Sequence, residues 1–405
     1  MLRLDCFELK SLLFLVLFFC LPFDLYASDP ASSWVENSPG ALNCDMLGLA
    51  THDGLGTVMV GRNGKSYYMT AAVTKSNNPS WTECVSPTQK DFVAVDRGDS
   101  CFMALTENEW YVSSISGSTL SWVKKGECSV AQDVCGPLVG VCHADGDVFV
   151  AVTSKGYLFR FKDTSESNVG NNRLGDMCAA GKVKGIKNLR QYHDHNEKMF
   201  YCYGYPGADG INILRIRFDG TDLNSSPDLQ STIAIKETGQ PIEINDLCLI
   251  THDGVAVAGQ NGVYGLVRDN MFYADSSPRD FTSASFLSVP VTNSFKSVYL
   301  HNPGSGYMDY YGYAVCEGGR VFCTSRIFDM GQGVYVESVT EVAANIYSDN
   351  FNSVAYYLPC TSTSGRHFFA AGSNGLSIFI IHSYSSGFIS QKNSVRQTHL
   401  FSAQI

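Results

Sequence analysis

Three histidines stand in similar settings: His52-Asp53-Gly54, His143-Ala144-Asp145-Gly146 and His252-Asp253-Gly254. His193 and His195 fall in a corresponding place further along the chain. Imidazoles brought together from separate segments make good ligands for transition metals. His-Asp-Gly is equally a turn sequence, because Asp and Gly shape a tight bend. Each of these triplets ends a short apolar run, so the turn is the expected role and no metal ligand is assigned.

Other chemistry is sparser. Gly304-Ser305-Gly306 follows Pro303 and lacks the strand-to-helix setting of a hydrolase nucleophile elbow. Gly-rich segments occur, but none leads into a helix whose amides would hold a phosphate. No catalytic residue and no cofactor-binding residue is therefore assigned. The segment Tyr307-Met308-Asp309-Tyr310-Tyr311-Gly312-Tyr313 is unusual in composition. Exposed tyrosines give large contact area at small entropic cost, so Tyr307, Tyr310 and Tyr311 form a candidate recognition surface. The alternative is that Tyr310 to Tyr313 open a strand and pack between sheets.

The chain has 14 cysteines, of which 12 lie beyond residue 27. No two have C-x-x-C spacing, which leaves out zinc ribbons and thioredoxin-like sites. In an exported protein an even set favours disulfides. Cys128 and Cys135 bracket a short loop and form the first candidate bridge, and Cys84 with Cys101 the second. Buried thiols packed as small hydrophobes are the alternative.

The elements around these residues repeat. Residues 58–69 read VMVGRNGKSYYM, residues 256–267 AVAGQNGVYGLV and residues 369–380 FAAGSNGLSIFI. Each is a small-apolar strand, a Gly-x-Asn-Gly turn, and an alternating strand. The turns hold Gly61, Asn63 and Gly64; Gly259, Asn261 and Gly262; Gly372, Asn374 and Gly375. Asn-Gly favours a type I′ hairpin, whose two central residues need positive φ. Weaker copies occur at 100–113, 147–161, 198–218 and 313–328. Upstream of each hairpin runs another apolar strand and a polar turn. Downstream lies a turn followed by an aromatic, as at Trp81 in SNNPSW and Trp122 in SGSTLSW.

Four short strands per unit, repeated every 40–50 residues or so, is the blade of a β-propeller. First strands are expected near Leu47, Phe92, Leu138, Leu189, Leu247, Tyr313 and Tyr356. The fold class is thus all-β, a single propeller of seven blades over residues 28–405. Six is the alternative if the region near 313–340 is assigned differently. Insertions are expected at 162–187, 219–245 and 275–311. The segment at Trp34 precedes the first inner strand, so it is expected to serve as the outer strand of the last blade. That closes the ring and removes free sheet edges.

The turn-plus-Trp pattern resembles the Asp-box repeat of bacterial neuraminidases, Ser-x-Asp-x-Gly-x-Thr-Trp, over about residues 34–390. The unit is also similar to the repeats of photosystem II assembly-factor propellers. Residues 116–122 lack the Asp, residues 75–81 lack Asp and Gly, and Asp329 and Gly331 precede Tyr335 in place of Trp. The resemblance implies the fold. A sialidase would also need an early Phe-Arg-Ile-Pro-type segment and three carboxylate-binding arginines, and neither can be assigned here. A degenerate sialidase-like glycoside hydrolase is the enzymatic alternative.

Residues 11–21 read SLLFLVLFFCL, followed by Pro22 and by Leu25-Tyr26-Ala27-Ser28. This is the form of a signal peptide ending at Ala27 and too short for a comfortable membrane span; a signal anchor is the alternative. Net charge is −10 and no Lys or Arg run can track a phosphate backbone, so nucleic acid is not an expected partner. Asn224-Ser225-Ser226 is a single glycosylation sequon. The expected function is an exported, non-catalytic propeller, secreted or periplasmic, that binds a protein or glycan. An assembly factor acting on a membrane complex from the lumenal or periplasmic side is a further alternative.

Overall fold

The computed structural model describes residues 35–382, apart from 37, 39–43, 75–79, 163–164, 169–172, 195–196, 219–226, 252–253, 269–278, 282–284, 287–288, 290, 302–309, 330–333, 344–348 and 358–365. The expected signal peptide, Trp34, Tyr307, His195, His252 and the sequon at Asn224 lie outside the described residues.

Seven sheets follow one another along the chain, each with four antiparallel blade strands; that of blade four also takes up Gln240–Pro241 and, in parallel, Arg279–Phe281. Blade one is Met46–His52, Gly56–Gly61, Ser66–Thr70 and Thr82–Glu83. Blade two is Ala94–Arg97, Phe102–Leu105, Glu109–Ser116 and Thr119–Glu127. Blade three is Leu138–Asp145, Val148–Thr153, Leu158–Lys162 and Ser165–Asn168. Blade four is Val183–Asp194, Glu197–Pro206, Ile213–Phe218 and Asp228–Glu237. Blade five is Ile244–Thr251, Gly254–Gly259, Tyr264–Arg268 and Ser285–Phe286. Blade six is Phe295–His301, Tyr310–Cys316, Arg320–Asp329 and Val334–Ala343. Blade seven is Phe351–Tyr357, Arg366–Gly372 and Ser377–His382, completed by Val35–Glu36 from the start of the chain. Val35 pairs with Phe379 and Glu36 with Ile378, so the ring closes as the position of Trp34 implied. Each first strand lies beside the first strand of the next blade, and blade seven lies beside blade one.

Between neighbouring blades sits a separate apolar cluster. Phe92, Tyr111 and Trp122 fill the space between blades one and two. Trp110, Phe159 and Phe161 do so between two and three, with Trp110 stacked on Phe161 at 4.5 Å. Phe200 and Phe218 serve between three and four, Tyr201 and Tyr203 between four and five, and Phe295 and Phe322 between five and six. Tyr313 meets Phe368 between six and seven at 4.5 Å. The seam between seven and one combines Met46, Met59 and Ala371 with Tyr67, and Trp81 meets Phe369 edge-on there at 6.3 Å. Burying such side chains, at about 25 cal/mol per Å² of apolar surface, is what holds wedge-shaped sheets around an axis.

The Gly-x-Asn-Gly turns form as the sequence requires. Asn63, Asn261 and Asn374 have φ of 55°, 56° and 53°, and the glycines that follow are also positive. Lys65 N–H donates to the Arg62 carbonyl at 3.0 Å, closing the type I′ turn. The leading glycine answers another need. A Cβ on Gly61 would sit 2.2 Å from the Asp45 carbonyl oxygen, and on Gly372 2.0 Å from that of Asn350. The turn thus presses on the start of its own blade's first strand. It also bonds to the next blade: Asn63 N–H donates to Asp91 Oδ1 at 2.8 Å, and Phe92 N–H to the Gly61 carbonyl at 3.0 Å. Thr238-Gly239 makes one further positive-φ turn in blade four.

The repeated Trp acquires a role. Trp122 Nε1 donates to Ser66 Oγ at 2.9 Å, and Trp81 Nε1 to Ser377 Oγ at 3.1 Å. Ser66 and Ser377 both occur as Asn-Gly-x-Ser. The outer strand of one blade is therefore pinned to the third strand of the blade before it.

Several expectations are corrected. The sixth blade does not begin at Tyr313. Its first strand is Phe295–His301, inside the stretch read as an insertion, and Tyr313 lies in the second strand. The strand FKSVYLH was overlooked because no His-Asp-Gly turn follows it. The insertions at 162–187 and 219–245 likewise hold the start of the long strand Val183–Asp194 and the strand Asp228–Glu237. Six blades is excluded. Cys128 and Cys135 are both thiols in the structure, and Cys135, 2% exposed, directs its sulfur to the Gly136 carbonyl at 3.2 Å. Cys84 and Cys101 belong to different inter-blade clusters, which separates the second candidate pair.

Candidate functional site

The His-turns come first. His52 and His143 are not equivalent after all. Gly48 pairs with Val60 and Gly140 with Val152, which aligns His143 with Thr51, one residue out of step. A slip of one residue turns a strand side chain to the other face. His52 Nδ1 accepts the N–H groups of Gly54 and Leu55, each at 3.1 Å, and so caps its own turn. Burial and the neighbouring Arg97 lower its pKa. The His143 backbone N–H donates to Asp96, and its ring Nε2 meets the Gly146 carbonyl at 2.7 Å. Among the described residues no three His, Cys, Asp or Glu side chains converge as a metal-ligand set.

Tyr310 and Tyr311 lie in the second strand of blade six, where Tyr311 pairs with His301 and Ser325. Tyr313 is 3% exposed and packs between blades. The turn residues Gly61 to Gly64, Gly259 to Gly262 and Gly372 to Gly375 share one face of the ring, because each opposes the start of a first strand.

That same face opens onto the axis, where first strands of all seven blades line a cavity of about 150 Å³. Sequence analysis did not single it out. In every blade but the second, a bulge follows a core residue early in the first strand, and blade four has a further one at Lys184. A bulge re-aims a side chain. The bulged residues at the axis are Leu47, Val139, Lys187, Asn245, Lys296 and Asn352.

The cavity has two unlike sides. Blades one to three supply Leu47, Leu49, Val93, Val95 and Val141. Blades four to seven supply Asn188, Arg190, Asn245, Lys296, Ser297 and Asn352, with Asp246 and Tyr203 behind them. Asp246 is 3% exposed and accepts five hydrogen bonds. Its Oδ1 takes Arg190 Nη2 at 2.7 Å, Tyr203 Oη at 2.8 Å and Leu247 N–H at 2.9 Å. Its Oδ2 takes Ser297 Oγ at 2.7 Å and Val298 N–H at 3.2 Å. One carboxylate thus joins blades four, five and six. Burial disfavours the Arg190 charge, but the adjoining Asp246 carboxylate outweighs it and raises the guanidinium pKa. Burial pushes the Tyr203 phenol well up.

Higher on the rim, Lys187 Nζ contacts Glu243 at 2.5 Å and Asn245 at 2.7 Å. Burial draws its pKa down, and Glu243 partly restores it. Asn245 Nδ2 donates to the Phe295 carbonyl at 2.8 Å, and Asn352 Nδ2 to the Met46 carbonyl at 2.9 Å. Lys296 pairs with Glu317 at 2.6 Å. The arrangement offers fixed hydrogen-bond donors, and the surface open to the cavity is almost wholly polar. It is a binding geometry, with no nucleophile–base pair among the described residues that line it.

The ring with its axial cavity defines a seven-bladed β-propeller. No sequence-family model matches the chain, and no curated protein matches it at a significant level. Solved structures do. YCF48 bound to D1 peptide is similar with a TM-score of 0.56 at 13% identity, over 86% of this chain and 97% of that one. YCF48 from Cyanidioschyzon merolae gives 0.55 at 12%, over 86% and 98%. Sqt1 of Saccharomyces cerevisiae gives 0.52 at 10%, over 87% and 98%. At these identities the likeness is one of fold. It bears out the resemblance to photosystem II assembly-factor propellers at that level, and the Asp-box assignment is not confirmed.

Proposed function

We propose that this chain is an exported, non-catalytic propeller that binds a protein partner through the face bearing the Gly-x-Asn-Gly turns. One observation carries the reading: seven blades converge on a face with a polar, prepared rim, and a structure of the same fold, YCF48, is bound to a peptide. Loops and strand ends on a rigid scaffold are where recognition is usually placed. Export rests on residues 11–27 and their signal-peptide form. Expression in a secretory host with N-terminal sequencing of the mature protein tests it, with Ser28 as the expected first residue.

The binding face is tested by cross-linking the mature protein, residues 28–405, in extracts of its own source. Asn352→Arg on the rim and Ser118→Arg on the opposite side of the ring are compared. Loss of the same cross-linked protein with the first variant alone supports the reading. Equal capture by both variants, or turnover of fluorogenic glycosides abolished by a point substitution, overturns it.

A further inference from the structure

We propose that the axial cavity receives the side-chain amide of an asparagine or glutamine of the partner, its carbonyl oxygen taken by the backbone N–H groups of Leu49, Val95 and Val141. The inference rests on the reading that this face binds a protein. Each first strand presents one row of backbone groups to the axis. The bonds of Val298 N–H to Asp246 at 3.2 Å and of Val354 N–H to Ser297 Oγ at 3.3 Å identify that row, since each acceptor belongs to the blade before. In the same row, Leu189 N–H is taken by Asn188 Oδ1 at 2.8 Å and Leu247 N–H by Asp246 Oδ1 at 2.9 Å. Strand pairing puts Leu49, Val95 and Val141 at this level of blades one to three. There the residue before each is Gly48, Ala94 or Gly140, whose side chain has no acceptor to offer. Among the described residues nothing accepts from these three N–H groups. All three residues line the cavity. A donor enclosed without a protein acceptor keeps its demand for one.

Charge decides against an ion. Lys187, Arg190 and Lys296 stand against Glu243, Asp246, Glu317 and Asp96, which acts on Arg190 together with Asp246. Three cations against four carboxylates leave no positive potential for an anion. The carboxylates are also engaged. Asp246 accepts five hydrogen bonds, and Asp96 takes the Arg97 and His143 N–H groups at 2.8 and 2.7 Å, so an ammonium finds no open partner. The apolar residues of blades one to three show the cavity their backbone edges, which disfavours a hydrocarbon group. What fits is a neutral group with a strong acceptor and donors of its own. An amide has both, with two lone pairs on oxygen and two N–H donors, whereas a hydroxyl brings one donor. Those donors meet Asn352 Oδ1, which accepts nothing among the described residues, and the axis-facing carbonyls of Leu49 and Val95. A volume of about 150 Å³ holds a group of roughly benzene's size, which admits either side chain.

The test is an NMR titration of ¹⁵N-valine-labelled mature protein with butyramide, with butyrate and butylamine as charged counterparts. Butyramide is expected to bind saturably with a Kd of roughly 1–20 mM and to move the Val95 and Val141 N–H signals downfield. The two ions are expected to bind at least about fivefold more weakly. Ala94→Ser sets a hydroxyl before Val141 as Ser297 stands before Val354, and is expected to weaken butyramide about two- to tenfold with an unchanged thermal melt. No butyramide binding, Val95 and Val141 signals that stay in place at saturation, or equal binding of butyrate overturns the proposal. So does unaltered affinity in Ala94→Ser; should that variant lower the melt, the titration of the unsubstituted protein decides alone. Loss of partner capture with Asn352→Arg beside absent butyramide binding removes the amide and leaves the binding face standing.

Discussion

Replacing Asp246 by Asn tests whether one carboxylate unites three blades. The change keeps shape and volume, so no cavity term enters. It exchanges one acceptor oxygen for a donor. Oδ1 now serves three donors and Oδ2 two. Whichever way the amide turns, at least two donors lose their acceptor. If the amide nitrogen replaces Oδ2, Ser297 can rotate its hydroxyl to accept, but the Val298 N–H is left buried and unsatisfied. That costs about 1–3 kcal/mol. Arg190 also loses its charge partner. Removing one member of a buried pair typically costs about 3–5 kcal/mol, but the 39% exposure of Arg190 lets cavity water screen it and brings this loss down to about 1 kcal/mol. The sum is about 2–4 kcal/mol. Urea unfolding followed by tryptophan fluorescence and by circular dichroism reads it, with the two transitions required to coincide. Asp209→Asn, which breaks the exposed pair with Lys182, is the reference and should change stability by under about 1 kcal/mol. A loss below about 1 kcal/mol for Asp246→Asn would refute the idea that this carboxylate holds blades four, five and six together.

The pinning of blade two to blade one is tested by Trp122→Phe and Trp122→Ala. The first, losing mainly the bond to Ser66, is expected to cost about 1–2 kcal/mol and the second about 3–5 kcal/mol, and equal losses would deny the hydrogen bond a part. Glu109, 5% exposed, is pushed up by burial but held down at about 2 by hydrogen bonds from Lys124, Lys90 and Tyr111. Its contribution is present above pH 4.5 and lost as pH falls through the folded value, up to about 3 kcal/mol, so Glu109→Gln should flatten the acid limb of stability between pH 4.5 and 2. His52 works with the same proton preference, since its lowered pKa favours the neutral ring in the fold. Stability from it is complete above pH 6.5 and declines as pH falls below that value, and His52→Asn should remove this part of the pH dependence in thermal melts. Denatured, unreduced mature protein should titrate at least eleven thiols with a chromogenic disulfide reagent, and fewer would show bridges that the structure does not contain.

The repeat was legible because its turns depend on backbone chemistry that few residues satisfy. Three of the four non-glycine residues with positive φ among those described are the Asn residues of Gly-x-Asn-Gly. Ring closure by the segment at Trp34 followed from counting strands. The sixth blade was displaced because its first strand lacks a marking turn and Tyr313 begins a good apolar run within the second. The histidines misled for a related reason. Similar spelling does not mean equal register: His143-Ala144-Asp145-Gly146 has one residue more than His52-Asp53-Gly54, and pairing places His143 level with Thr51. The axial site was illegible because its members come from all seven blades, with Leu47 in the first and Asn352 in the last, and each blade contributes only one to three of them. A signal did exist: Ile186-Lys187-Asn188, Ile244-Asn245-Asp246, Phe295-Lys296-Ser297 and Phe351-Asn352-Ser353 each follow one core residue with two polar ones.

That signal bears on whether the polar side of the axis is only a fastening. Asn245 and Asn352 reach the backbone of the following blade, and Lys187 reaches its side chains, so a structural use is evident. Fastening alone, however, would apply to all seven seams. At the bulge position blades one and three carry Leu47 and Val139, and blade two carries Val93 at the matching place. Their seams close through backbone bonds, such as Phe92 N–H to the Gly61 carbonyl and Leu138 N–H to the Glu107 carbonyl. The ring therefore does not need amides, lysines and an arginine at the axis to hold together. Polar groups turned toward a half-enclosed space lose hydration, and a fold that could use Leu or Val there gains nothing in stability from them. Their confinement to blades four to seven sets a cluster of prepared donors on one side of the axis, which a binding site requires and a fastening does not.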